Sequence, residues 1–164
     1  MPSNLPRVAH EHHERLIRHV DELPALGDMI GKAPVEELRP RLDETGVFLT
    51  GLLIPHMEAA ERGLYPELER MLQNRHSMTP MRHEHEEIRR LVAEFERLRH
   101  EVETGGPNVG RSVALRRVVF RLYALLKVHL AEEELYVRTV NHGVTEEAAE
   151  AMAAALSHAG IAAP

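Results

Sequence analysis

The sequence predicts an all-α protein, an antiparallel up-down four-helix bundle with a short C-terminal helix. Three observations carry that expectation. Only three Phe and three Tyr occur, with no Trp, and Val/Ile/Thr alternation is nowhere sustained over a strand's length. Apolar residues recur instead at spacings of three and four. Four such segments of about 25 to 30 residues, joined by short connections, fit a bundle of alternating direction.

The elements follow in order. A first helix is expected over about residues 5–30, with the stripe Leu16, Val20, Leu23 and a bend at Pro24. "GKAP" interrupts it. A second starts near Val35 or Pro40 and carries Leu42, Leu49, Leu53, Met57, Leu64 and Leu68, with distortions expected at Pro55, Gly63 and Pro66. "SMTPMRHEH" reads as a helix start with Thr79 as N-cap and Pro80 in the first turn, and that helix runs to about Val102. After "ETGGPNVG" a fourth helix spans about residues 111–140. "VTEEAAEAMAAALSHAG" completes the series as a short helix over about residues 145–158, capped by Thr145 and ended by Gly160.

At 164 residues the chain is long enough for one domain with a real core and short for two. The start shows neither a cationic and apolar export signal nor an Arg/Ser-rich transit pattern, and no stretch is apolar enough to span a bilayer, so a cytoplasmic location is expected. A net charge of −6 with scattered basic residues gives no footprint for nucleic acid. With no cysteine, thiolate nucleophiles, disulfides and iron–sulfur clusters are excluded. Any metal must be held by nitrogen and oxygen. Twelve histidines are the compositional anomaly.

Their spacing has a period. His13-x-x-Leu16-x-x-x-Val20-x-x-Leu23 matches His85-x-x-Ile88-x-x-x-Val92-x-x-Phe95, while His56 and His129 are each followed by glutamate and then by Leu-Tyr. Separations of 43 and 44, and of 72 and 73, describe a repeated two-helix hairpin. Residues three, four and seven positions away share a helical face, and on that test His13, His56, His85 and His129 all lie among apolar neighbours. So do Glu61 and Glu133, whereas Glu134 faces solvent. His12, His19, His76, His83, His100, His142 and His158 read as surface histidines, with His10 and His12 at most supporting the site. Carboxylates and imidazoles buried without compensation cost several kcal/mol each, so the six inward residues imply a neutralising cation. Nitrogen and oxygen ligands suit iron, zinc or manganese, and six exceed the needs of one tetrahedral zinc.

The order His, His with a following Glu, His, His-x-x-x-Glu, together with "PHMEAAERGLYPEL" and "RHEHEEIRRLV", resembles the hemerythrin-like (HHE cation-binding) domain over about residues 8–140. The resemblance implies a four-helix bundle holding two non-haem iron ions, oxo- and carboxylate-bridged, with His13, His56, His85, His129 and Glu133 as ligands, and Glu61, on its apolar stripe, is the sixth ligand expected. It implies a small ligand, O2, NO or H2O2, with sensing, scavenging or peroxidatic turnover as possible outcomes. The chain departs from the family at Ala60, where the first bridging carboxylate would stand. Glu61 lies one residue further on, about 140° from His56 in a regular helix rather than about 40°, so a local distortion or π-bulge is required, or Glu58 serves instead. Met81 and Arg89 occupy the positions four residues from His85 where hemerythrins proper have a further histidine, which argues against reversible oxygen storage. Tyr65 and Tyr136 are either hydrogen-bonding partners of the ligand carboxylates or core rings.

A structural or regulatory module folded by iron is the alternative, and a bundle whose site has decayed at Ala60 is a third. The Glu-x-x-His pairs of ferritin-like proteins are absent, as is a complete His-Glu-x-x-His.

Overall fold

A computed structural model describes residues 5–105, 108–140 and 154. The described residues are helical and contain no strand. Helix α1 is Leu5–Met29, with Pro24 inside it. Gly31, at φ 83°, ends the turn that follows, and the N–H groups of Lys32 and Ala33 return to the Met29 carbonyl. Glycine reaches this left-handed conformation without a Cβ clash.

Pro34 leads into the second long helical stretch, residues 35–71, which is one rod in three α segments. These are α2 (Val35–Phe48), α3 (Ile54–Ala59) and α4 (Tyr65–Met71), joined by π turns at Leu49–Leu53 and Ala60–Leu64. The prolines explain their positions. Pro55 and Pro66 cannot donate to the carbonyls four residues earlier and their rings crowd them, and each π turn lies immediately N-terminal to one of them, widening the ladder there. Gln73, at φ 50°, ends α4.

Helix α5 is Thr79–Gly105 and α6 is Val109–Val140. The last helix starts before the expected Arg111, because the Asn108 side chain accepts a hydrogen bond from the Arg111 N–H at 2.9 Å and so acts as its N-cap. The short terminal helix expected over residues 145–158 lies outside the described residues, apart from Ala154. No helix among the described residues is long and apolar enough to cross a membrane.

Hydrogen bonds and ion pairs between helices run in opposite order along the chain. His10, Asp21 and Asp28 of α1 meet Glu134, Lys127 and Arg116 of α6. Asp43, Glu61 and Glu69 of the rod meet Arg99, His85 and Arg82 of α5.

The core is divided. A large apolar cluster includes Leu16, Leu23, Leu53, Met57, Ile88, Phe95, Leu122 and Leu126. A smaller one contains Ala60, Leu64, Tyr65, Leu68, Met78, Met81 and Val137. His85 lies between Met81 and Ile88 on α5, and Glu133 between Leu130 and Val137 on α6, so a polar layer separates the clusters.

Candidate metal centre

That layer is dry. His13, His56, His85, His129 and Glu133 are all 0% exposed. Each sits on an apolar stripe, so packing the stripe carries the polar residue inward with it.

Two groups form around one carboxylate. His13, His56 and Glu133 bring one ligand atom each within 4.8 Å of one another, and His85, His129 and Glu133 do the same. In the first group His13 Nε2 donates to Glu133 Oε2 at 2.9 Å, and His56 Nε2 lies 3.0 Å from the same oxygen without hydrogen-bonding geometry. In the second group His85 Nε2 and His129 Nε2 are 3.0 Å apart. Behind these rings Glu61 Oε1 accepts from His85 Nδ1 at 2.7 Å, and Glu84 Oε2 accepts from His129 Nδ1 at 2.8 Å.

A carboxylate at Nδ1 fixes the ring proton there, leaving the lone pair on Nε2. Two such lone pairs therefore face each other across 3.0 Å, an arrangement that a cation between them relieves. Glu133 Oε1 and His56 Nε2 are also buried without a hydrogen-bond partner, which costs on the order of 1–3 kcal/mol each unless something fills the place. The residues present fit a metal.

Electrostatics agree. Burial, with His129 beside it, pushes His85 down from 6.5 to about 4. Burial, then His56, His13 and Arg15, takes His12 down to about 3, and burial lowers His56 as well. These imidazoles are neutral near pH 7. Burial alone would raise the Glu133 carboxyl, but His56 and His13 outweigh it and hold the group well below its usual range. The result is a buried anion beside the neutral nitrogens of His56 and His85, the charge pattern of a cation site.

A family model, the hemerythrin HHE cation-binding domain, matches residues 5–140. The chain belongs to this family. No curated protein and no solved structure matches it. The hemerythrin HHE match and the two His/Glu groups together make cation binding the property this chain shares with the family.

Not every expected residue enters the two groups. Glu61 is 26% exposed at its side chain, takes both oxygens to Arg89 Nη2 at 3.0 and 2.9 Å, and supports His85 from behind. Glu58 is exposed and pairs with Arg62. Ala60 is fully buried, so the position where relatives place a carboxylate faces the interior but offers no ligand. Tyr65 does enter, its hydroxyl 3.0 Å from His85 Nε2, and burial followed by the nearby Glu133 raises its pKa. In an unbroken α-helix nine residues turn about 180°, which would set Tyr65 opposite His56. The π turn absorbs one residue and brings the phenol round to about 80° instead. Tyr136 is only partly buried, against the smaller cluster.

Sequence reasoning missed Glu84 and left His12 as at most a supporting group. His12, read as a surface group, is 1% exposed and lies 2.9 Å through Nε2 from His56 Nδ1. Val8 and Leu16, four residues to either side of it, are the signal that could have placed it inward. Glu84, 24% exposed at its side chain, has Met81, Ile88 and Leu91 at the same helical spacings, a weaker signal diluted by Pro80 and Glu87.

Proposed function

We propose that this hemerythrin-like domain holds two non-haem irons in an antiparallel up-down bundle and binds or reacts with a small ligand, O2, NO or H2O2. The observation that carries the two-ion reading is Glu133, the single carboxylate common to both histidine groups. The opposite order of the helix-to-helix hydrogen bonds and ion pairs supports the bundle. His13 and His56 would hold one ion, His85 and His129 the other, and Glu133 both. When bound, the irons supply exchangeable coordination positions and electrons for chemistry with a small ligand.

The remaining residues set the conditions for that chemistry. Glu61 and Glu84 orient two of the rings. Leu16, Met57, Leu64, Ile88 and Leu130, each at most 1% exposed, exclude bulk water and keep the local dielectric low. Tyr65 offers a hydroxyl proton or a phenol oxygen beside His85 Nε2. Because the carboxylate at Ala60 is missing, the centre has fewer protein oxygens than relatives with one there, which leaves room for an external ligand.

Metal analysis and an optical spectrum of the purified chain test this reading. About two irons per chain with ligand-to-iron absorption that changes on adding NO or peroxide is the expected result. Zinc alone, or no metal, rejects it. Iron whose spectrum ignores both ligands favours the second reading, an iron-folded regulatory module, for which the buried polar layer between the two apolar clusters is the supporting observation.

A further inference from the structure

The two halves of the centre are supported by opposite hydrogen-bond polarity. Behind His85 and His129 stand Glu61 and Glu84, at 2.7 and 2.8 Å from Nδ1. Both rings are thereby held with acceptor nitrogens turned inward. Behind His56 stands a cation acting through a relay. Arg15 Nη2 lies 3.2 Å from His12 Nδ1, and because a guanidinium only donates, that nitrogen accepts. The proton of neutral His12 then sits on Nε2 and is donated to His56 Nδ1 at 2.9 Å. Neutral His56 is left with its own proton on Nε2, the atom that faces Glu133 at 3.0 Å. His13 likewise presents a donor, its Nε2 bonded to Glu133 at 2.9 Å, while its Nδ1 has no partner. One half is set to receive a cation, and the other turns N–H groups toward the carboxylate, that of His13 bonded to it and that of His56 close by without a bond.

Resting on the two-ion reading above, we infer that the halves fill in a fixed order. A divalent cation occupies the His85/His129 half first and the His13/His56 half more weakly, with Glu84 as a positioning residue of the first and Arg15, through His12, as an antagonist of the second. For the second ion to bind, the His56–His12 relay must reverse, and its bond from Arg15 is then lost. Carboxylates behind ligand histidines typically change metal affinity by about 10- to 100-fold, so the two steps separate by at least about tenfold.

The test is a cobalt(II) titration of the full chain stripped of metal, followed by calorimetry and by the visible bands of the bound ion. The expected result is two ions taken up in two resolved steps. Glu84→Gln weakens the first step by about 10- to 100-fold and leaves the second nearly unchanged, and Glu84→Asp recovers part of the loss. Arg15→Met, at an exposed position, strengthens the second step, which a merely structural role for Arg15 would not do. Two ions bound in indistinguishable steps, or an Arg15→Met variant with a weaker second step, overturn the inference and leave the two-ion centre standing. Uptake of one ion or none overturns both.

Discussion

The hydroxyl of Tyr65 lies 3.0 Å from Nε2 of His85, on the face of the ring that looks into the centre rather than on the Nδ1 side held by Glu61. A phenol from the rod therefore faces the centre, while Ala60 of the same rod offers no carboxylate. Tyr65→Phe should alter the visible absorption of the iron-loaded chain. In the metal-free chain it should lower stability by about 1–3 kcal/mol, because a buried acceptor loses its donor. An unchanged spectrum would show that the phenol has no influence on the metal.

Glu133 belongs to both ligand groups, so Glu133→Gln should remove both ions, not one. The same substitution eliminates a buried negative charge while keeping an oxygen to accept from His13. Because His56 and His13 hold the carboxyl ionised in the folded chain, the metal-free variant should be less stable than the wild-type chain in urea unfolding. Retention of one full equivalent of metal would contradict a shared carboxylate.

His129 is fully buried beside His85, whereas His100 is exposed. His129→Ala should remove the ion held with His85, measured by elemental analysis after gel filtration, and His100→Ala should leave metal retention intact. Equal losses would overturn the assignment of inward and outward histidines.

Acid should destabilise the metal-free chain. His85 titrates near 6.5 when unfolded and at about 4 when folded, so between those values the unfolded chain binds more protons and stability falls as pH falls. At about 1.4 kcal/mol per unit this one residue accounts for roughly 3 kcal/mol, lost progressively from about pH 6.5 to about pH 4. His12 adds in the same direction down to about 3. Denaturant midpoints measured across this range check the sign, and a midpoint that holds steady to pH 4 would contradict it.

Glu61 supports His85 and is itself held by Arg89. Glu61→Ala should therefore weaken metal binding by about tenfold or more without abolishing it. Complete loss of one ion would instead identify Glu61 as a ligand in its own right.

The four inward histidines and Glu133 were legible because each lies on an apolar stripe, and burial of a stripe is a property of one helix. The places of the two π turns were legible too, since Pro55, Gly63 and Pro66 mark them locally, although Glu61 does not turn to join His56 as the five-residue step required. What lay beyond the sequence was contact between helices. Glu84 reaches His129 from α5, Glu61 reaches His85 from the rod, and His12 reaches His56 from α1, and no periodicity within one segment encodes those meetings. The start of α6 was misjudged for a smaller reason, the capping side chain of Asn108 hidden in a glycine-rich loop.

The rod of residues 35–71 has a mechanical consequence. A π turn adds a residue to a helix without adding a loop, so the backbone stays continuous while its angular phase is reset. Leu42 and Leu49 keep time with the large cluster, and Leu64, Tyr65 and Leu68 with the small one, as if two shafts were joined by a coupling at Ala60–Leu64. Deleting one residue from that coupling would restore an unbroken α ladder. It would leave the phenol at about 80° from His56, whereas straightening the coupling with every residue kept would rotate everything beyond it by about 100°, swinging the phenol away from His85 while the first half of the rod stayed in register.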